Sequence, residues 1–465
     1  MRSKCKNLPW LVLICTSLGL GIILTPIVVA QTSPLLFAQQ EEKLEEAENL
    51  LQEAIRLYRE GKYTEAVAVQ EHVVAIREEM LPSNHRDLAI SYNYLATFYR
   101  AQRKYSQAED YYLRALAIFE ELLTSNHPGL ALSYSNLATF YRAQRKYSQA
   151  EDYYLRAVAI REEILPSNHP NLANSYNYLA ELYRVQRKYE LAEDYHLRAV
   201  AIREEILPSN HPHLATSYNN LGLLYEDQKS YTQAEDYLLR AVAIYEEALP
   251  SNHPSLAISY SNLGQLYQKQ GNYSQAEDYL LGAVAIREEI LPPNHPNLAT
   301  SYNNLGLLYK AQERYAQAED YLLRAVAIYE EVLPLNHPNL AISYADLAQL
   351  YREQGRYTQA EDYLLRIVSI SKELSPPNHA NLALSYSNLA LLYLTQRRYT
   401  QAEDYLLRAV VIIEEYLPPN HPTLAISYIT LAELYRAQGR YELAEEYRSR
   451  AVAIDEEVRR QQENR

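Results

Sequence analysis

The chain has 465 residues, of which 48% are hydrophobic and 22% are charged, and its formal net charge is −14. This composition is typical of a folded, soluble chain and excludes a disordered one. The acidic balance argues against nucleic acid as the main partner, because binding phosphates needs a basic surface. Both cysteines, Cys5 and Cys15, lie near the start, so the rest of the chain has no disulfide and no thiol chemistry.

The first 30 residues differ from the rest of the chain. Arg2, Lys4 and Lys6 form a basic start, and an uncharged run extends from Trp10 to Ala30. This order is typical of a secretory signal peptide. The run is also about long enough to span a bilayer, so an uncleaved signal anchor is the alternative. Either way we expect the remaining residues outside the cytoplasm, as a periplasmic or secreted protein or as a membrane-anchored one.

Beyond this leader, a block of 42 residues recurs and is marked by the dipeptide Asn-His. The nine tags are evenly spaced: Asn84-His85, Asn126-His127, Asn168-His169, Asn210-His211, Asn252-His253, Asn294-His295, Asn336-His337, Asn378-His379 and Asn420-His421. A fixed period of this length indicates one supersecondary unit stacked on itself. We predict ten units over residues 43–459, with a short linker at 31–42 and a polar tail at 460–465.

Residues 296–337 show what one unit is. Apolar side chains from Tyr302 to Tyr309 recur at helical spacing, and a second helical run follows from Ala318 until Pro334 stops it. The Asn-His tag then caps the next helix, where proline at the first helical position costs nothing. Each unit is therefore predicted to be a helical hairpin.

These residues resemble the tetratricopeptide repeat, whose pattern is an aromatic, Leu-Gly or Leu-Ala, Tyr, and then Ala, an apolar residue and Ala. The matching residues are Tyr302, Leu305, Gly306, Tyr309, Ala318, Leu322 and Ala325. The longer period and the text of residues 295–306 resemble the kinesin light chain subclass. The resemblance implies an all-α fold, a right-handed α-solenoid of about ten hairpins. It also implies a non-enzymatic scaffold that binds protein or peptide segments in its concave groove.

In that family the first helix of each hairpin lines the groove. An Asn amide there can pair with a peptide backbone, and an Arg or Lys can bind a carboxylate. The candidate residues are Asn93, Arg100, Asn136, Arg142, Asn177, Arg184, Asn219, Asn220, Asn262, Asn303, Asn304, Lys310 and Arg352. The basic members favour acidic ligand segments. The alternatives are that the Asn side chains bond within their repeats and that each Arg pairs with a nearby Glu.

No pattern in the chain indicates catalysis or a cofactor. Stacked helices lie ~8–10 Å apart, too far for neighbouring tag histidines to share one metal ion, so these histidines are interpreted as caps. Repeated Glu-Asp pairs such as Glu319-Asp320 are interpreted as a solvated face, because an active site needs one distinct constellation. We therefore predict no enzyme, no cofactor and no metal. The alternative function is a structural or self-assembling envelope component, and the oligomeric state is left open.

Overall fold

The computed structural model describes residues 34–373 and 379–463. These residues form twenty helices and no strand, and successive helices pair into hairpins. The helices are α1 (Pro34–Arg59), α2 (Tyr63–Met80), α3 (Arg86–Ala101), α4 (Tyr105–Leu122), α5 (Pro128–Ala143), α6 (Tyr147–Ile164), α7 (Pro170–Val185), α8 (Tyr189–Ile206), α9 (Pro212–Asp227), α10 (Tyr231–Ala248), α11 (Pro254–Gln270), α12 (Tyr273–Ile290), α13 (Pro296–Ala311), α14 (Tyr315–Val332), α15 (Pro338–Glu353), α16 (Tyr357–Glu373), α17 (His379–Thr395), α18 (Tyr399–Tyr416), α19 (Pro422–Ala437) and α20 (Tyr441–Glu463). The predicted all-α solenoid of about ten hairpins is confirmed.

The chain divides into two compact units, at residues 124 and 125. The first unit contains the hairpins α1–α2 and α3–α4, and the second contains the eight hairpins from α5 to α20. The sequence predicted one array without an internal boundary. Thr124 lies at this division, two residues before the tag Asn126-His127. The other tags have a proline at that position, as at Pro166.

Both ends of the array differ from the predicted boundaries. The expected leader, residues 1–30, lies outside the described residues, as do residues 31–33 of the expected linker. The rest of that linker is helical, because α1 begins at Pro34 and Gln40 donates a 2.7 Å hydrogen bond to the carbonyl of Met80 at the end of α2. The expected polar tail also continues a helix, since α20 ends at Glu463. Pro34 occupies the first helical position, where proline is tolerated, and no further proline or glycine occurs in either helical segment.

The Asn-His tags act as local structure. His169 is the N-cap of α7, and its Nδ1 accepts a 3.1 Å hydrogen bond from the backbone N–H of Asn171. Capping histidines recur at the other odd-numbered helices from α3 to α15 and at α19. The neighbouring Asn168 instead donates at 2.8 Å to Glu205 in α8, the second helix of the same hairpin. The tag therefore caps the first helix of a hairpin and bonds to the second helix of that hairpin.

Each hairpin turns through one residue with a positive φ. Glycine occupies this corner at Gly61, Gly271, Gly355 and Gly439. The other six corners have Arg103, Arg145, Arg187, Lys229, Glu313 and Arg397, with φ between 57° and 62°. This left-handed conformation ends the first helix and lets its last carbonyls accept hydrogen bonds from the corner.

Within the second unit, tyrosine links successive repeats. Tyr183 in α7 donates to Glu151 in α6 at 3.1 Å, and Tyr225 in α9 donates to Glu193 in α8 at 2.7 Å. The rings are buried while their hydroxyls reach the carboxylates, as expected for packing with a polar tip. In the second unit, the Glu of each Glu-Asp pair is therefore not simply solvated, because it accepts a hydrogen bond from the following repeat. This corrects the interpretation from sequence.

Candidate peptide-binding site

Three of the predicted Asn ligands serve the packing of the second unit instead. Asn177 is 8% exposed, and its amide bridges His196 Nδ1 (3.0 Å) and the guanidinium of Arg203 (2.8 Å). Asn219 is also 8% exposed, and its Oδ1 accepts a 3.0 Å hydrogen bond from Asn262 in the next first helix. These three Asn side chains already form hydrogen bonds within the protein, so they are poor candidates for binding a ligand.

The remaining Asn candidates fall into two groups. Asn303 donates to Asp346 of the next first helix at 2.9 Å, and burial raises the pKa of that carboxyl. Four others are half-buried and their amides have no partner among the described residues: Asn93 in the first unit, and Asn136, Asn220 and Asn304 in the second. These four keep donors and acceptors available to a ligand.

The basic candidates divide in the same way. Arg184 pairs with Glu181 at 3.0 Å and with Asp227 of the next first helix at 2.6 Å, as the alternative interpretation expected. In the described part of the chain, the others have no ion-pair partner: Arg100 in the first unit, and Arg142, Lys310 and Arg352 in the second.

Arg184 belongs to a buried network that sequence analysis did not identify. His196 in α8 is fully buried, and its Nε2 lies 3.3 Å from Glu181 Oε1. Burial alone would raise the pKa of Glu181, but the hydrogen bonds and charges of His196 and Arg184 lower it to about 2. The equivalent of His196 is Tyr154 one repeat earlier, so the substitution in a repeating pattern was the available signal.

A groove of about 480 Å³ lies along the first helices of the second unit. It is lined by Pro128, Gly129, Leu132, Ser135, Asn136, Thr139, Arg161, Ile164, Leu165, Asn171, Asn174 and Tyr178. Two of its apolar side chains face solvent, because Leu132 is 57% exposed and Tyr178 is 46% exposed. The groove contains one predicted ligand residue, Asn136.

The charged group in this groove is Arg161, on the second helix α6. Its Nη1 donates to the hydroxyls of Ser135 (2.9 Å) and Ser175 (2.6 Å), and its Nη2 donates to the carbonyl of Ala131 (3.4 Å). All three acceptors are neutral. Burial lowers the pKa of Arg161, yet an arginine stays protonated in proteins. The groove therefore contains a half-buried positive charge that has no carboxylate partner among the described residues.

Arg161 is absent from the predicted ligand residues because all of these lie on first helices, whereas Arg161 lies on a second helix. The same second-helix position has Phe119 one repeat earlier and Tyr245 two repeats later, whereas most positions of this helix hardly vary. That variation in a nearly invariant helix was the signal for a position with a specific role.

Another cavity, of about 660 Å³, lies on the last hairpin. Its lining contains charges of both signs, including Glu433, Arg436, Arg448 and Asp455, so it has no unbalanced charge of the kind that Arg161 provides. Among the described residues, no group of three His, Cys, Asp or Glu side chains is placed to hold a metal ion. None of the described helices is long and apolar enough to cross a membrane.

Comparison with known proteins agrees with this architecture. The model of the tetratricopeptide repeat family matches residues 57–121, 87–163, 129–205, 171–247, 255–331 and 377–457, and a second model of that family matches residues 340–381. No curated protein matches the chain. A chain from Podosopora anserina with nearly identical kinesin light chain TPR-like repeats is 28% identical, with a TM-score of 0.41 over 44% of this chain and 97% of that one.

Two further solved structures share the fold at low identity. The apo form of the quorum sensor NprR from B. thuringiensis is 16% identical, with a TM-score of 0.52 over 79% of this chain and 99% of that one. The STAND protein PH0952 from Pyrococcus horikoshii, which has a tetratricopeptide repeat sensor, is 17% identical, with a TM-score of 0.53 over 83% of this chain and 56% of that one. Because the family models cover most of the chain, this protein belongs to the tetratricopeptide repeat family.

Proposed function

We propose that this protein is a non-enzymatic interaction scaffold that binds acidic peptide segments along the first helices of its second unit. The observation that carries the proposal is Arg161, a half-buried guanidinium whose acceptors in the described structure are two hydroxyls and one carbonyl. A buried charge is costly unless an opposite charge accompanies it. A carboxylate from a ligand would supply that charge, and the planar guanidinium suits it.

The surroundings of Arg161 favour a peptide over a small anion. Leu132 and Tyr178 expose apolar surface on the same groove, and the amide of Asn136 has no partner within the described structure. An extended peptide would cover the apolar groups with side chains and use the amide through its backbone. The ligand class is therefore an acidic residue flanked by apolar ones.

The first unit offers a design for testing this. There Arg77, at the position equivalent to Arg161, forms a 2.8 Å ion pair with Glu48. The residue equivalent to Glu48 in the groove is Leu132, which is mostly exposed and tolerates a polar replacement. We expect Leu132→Glu to give Arg161 an internal carboxylate, so that the site is occupied by the protein itself.

The experiment selects ligands from a random heptapeptide library on the immobilised full chain. The selected peptides should be enriched in Asp or Glu beside Leu, Ile, Val or Phe, and synthetic copies should lose at least about tenfold in affinity for Leu132→Glu, the loss of one charge-assisted hydrogen bond. Leu155→Glu, on an exposed site of α6 outside the groove, is the matched control and should bind as the parent does. Equal binding by parent and Leu132→Glu would refute the assignment of the groove.

We further propose that the chain is exported, and its support is the basic and apolar pattern of residues 1–30. N-terminal sequencing of the protein recovered from separated periplasmic, membrane and culture fractions tests this. A new N-terminus at Gln31 supports cleavage, and an intact N-terminus in the membrane fraction supports an anchor. An intact chain in the cytoplasmic fraction alone would contradict export.

A further inference from the structure

The position that Arg161 occupies in its second helix has a polar side chain in several other repeats, and that side chain has a recurring partner. In four hairpins its polar side chain bonds to a polar residue 29 positions earlier, on the first helix of the same hairpin. The pairs are Glu48 with Arg77, Asn174 with Arg203, Thr216 with Tyr245, and Thr300 with Tyr329, each at 2.8 Å. The first-helix residue thus satisfies the second-helix group wherever both are polar.

In two hairpins of the second unit, the arginine at this position has an aliphatic residue 29 positions earlier instead of a polar one. Opposite Arg161 stands Leu132, and opposite Arg287 stands Ile258, which is 50% exposed. Neither aliphatic side chain can accept a hydrogen bond. Both arginines therefore lack the partner that Arg203, which is also without a carboxylate, receives from Asn174.

The surroundings of the two arginines match in detail. Arg287 Nη1 donates to the hydroxyls of Ser261 (3.0 Å) and Ser301, the equivalents of Ser135 and Ser175. Each of those hydroxyls donates its own proton to a carbonyl of its helix, at 2.9 Å for Ser261 and 3.2 Å for Ser301. Burial also lowers the pKa of Arg287. The chain thus builds the same half-buried cationic site twice within one unit.

We propose that these two sites bind one extended peptide through two acidic residues, a proposal that rests on the proposed function. The sites lie three repeats apart, which at ~10 Å for each stacked repeat places them roughly 30 Å apart. An extended strand advances ~3.3 Å per residue, so the two acidic residues would be separated by about nine positions. Each would lie beside an apolar residue that covers Leu132 or Ile258.

Length-matched peptides test this with the full chain. The probes are acetylated, amidated and fluorescein-labelled, and they have either one Leu-Glu-Leu segment or two. In the two-segment probes the glutamates are separated by 3, 10 or 20 residues in total, which are the two flanking leucines with Gly and Ser between them. Three residues between the glutamates reach at most ~14 Å and cannot span the sites, whereas ten can. Fluorescence anisotropy at low salt should show at least about tenfold tighter binding for the ten-residue spacing than for the single segment, because the second contact is intramolecular.

Three variants assign the effect to the two sites. Leu132→Glu or Ile258→Glu alone should return the ten-residue probe to the affinity of the single segment, and the double variant should abolish binding. Ile342→Glu is the control for added charge, because Ile342 is 57% exposed at the equivalent position but faces Ser371 instead of an arginine. It should leave the spacing dependence unchanged.

The outcomes separate this inference from the proposed function. If the single segment binds and Leu132→Glu blocks it, but no spacing improves affinity, the two-site ligand is refuted while the proposed function stands. If the ten-residue probe is no tighter than the three-residue probe, the spacing argument is likewise refuted. If the single segment does not bind at millimolar concentration, the proposed function itself is contradicted, and the two-site ligand with it.

Discussion

Replacing Glu181 by Gln removes one carboxylate from the buried network of α7 and α8. That carboxylate lies 3.0 Å from Arg184 Nη2 and 3.3 Å from the Nε2 of the fully buried His196. Its side chain is only 21% exposed, so solvent screens these interactions weakly. We expect the variant to fold with a lower free energy of unfolding.

The magnitude follows from the pKa of Glu181, which falls from the ordinary 4.5 to about 2 in the folded protein. At 1.36 kcal/mol per pH unit, this difference stabilises the fold by on the order of 3 kcal/mol at neutral pH. Because the folded pKa is the lower one, this stabilisation is fully present above pH 4.5. It is lost as the pH falls from 4.5 through the folded pKa of about 2, below which the carboxyl is protonated in both states.

The assay is urea denaturation of the parent and of Glu181→Gln, followed by circular dichroism at several pH values between 7 and 2. The difference between the two proteins should be constant from pH 7 to 5 and should shrink below that. Glu433, which occupies the equivalent place in the last hairpin, is exposed and has no ion pair among the described residues. Glu433→Gln is therefore the matched control and should change stability by less than about 0.5 kcal/mol.

Two results would refute this reasoning. A difference between parent and Glu181→Gln that is independent of pH would mean that the carboxylate acts by shape rather than charge. An equal effect of Glu433→Gln would mean that the substitution acts through helix propensity and not through the His196 and Arg184 contacts.

Three further predictions concern local structure. His169→Ala should cost about 1 kcal/mol, because the N–H of Asn171 loses its acceptor, and hydrogen exchange should quicken in the first turn of α7. Gly271→Ala should cost about 1 kcal/mol through its φ of 80° alone, since nothing lies within 4 Å of the added Cβ. Arg187→Gly, at an equivalent corner with φ of 60°, should instead stabilise by up to about 1 kcal/mol. Both corner variants are measured by thermal unfolding, and changes of the same sign would contradict the backbone argument.

The repeat itself could be predicted from sequence because the information is local. Apolar spacing from Tyr302 to Tyr309 depends on one helical face, and Pro334 limits a helix through its own backbone, since α14 ends at Val332. The repeat pattern has a small residue at Gly306, which indicates a close approach of the paired helices. In the structure, a Cβ added at Gly306 would lie 2.6 Å from Leu322 Cγ. The ends of the array were not, since α1 depends on a contact with the end of α2.

The candidate site could be predicted only in part. Asn136 lies in the groove and its amide has no partner among the described residues, in agreement with the predicted set, whereas Asn177 and Arg184 are engaged by neighbouring residues. Nothing in a single repeat distinguishes these cases. Whether a first-helix side chain is free depends on what the next first helix presents to it, as Asp227 does to Arg184.

By itself, the sequence determined that this chain is a stack of capped helical hairpins, because periodicity, caps and corners depend on residues within a few turns of each other. The tertiary structure alone decided which polar groups remain without partners. That property depends on packing between repeats, as when Arg161 reaches Ser175 of the following hairpin while Leu132 of its own offers no acceptor. The proposed binding site therefore arises from the packing between helices that each repeat specifies separately.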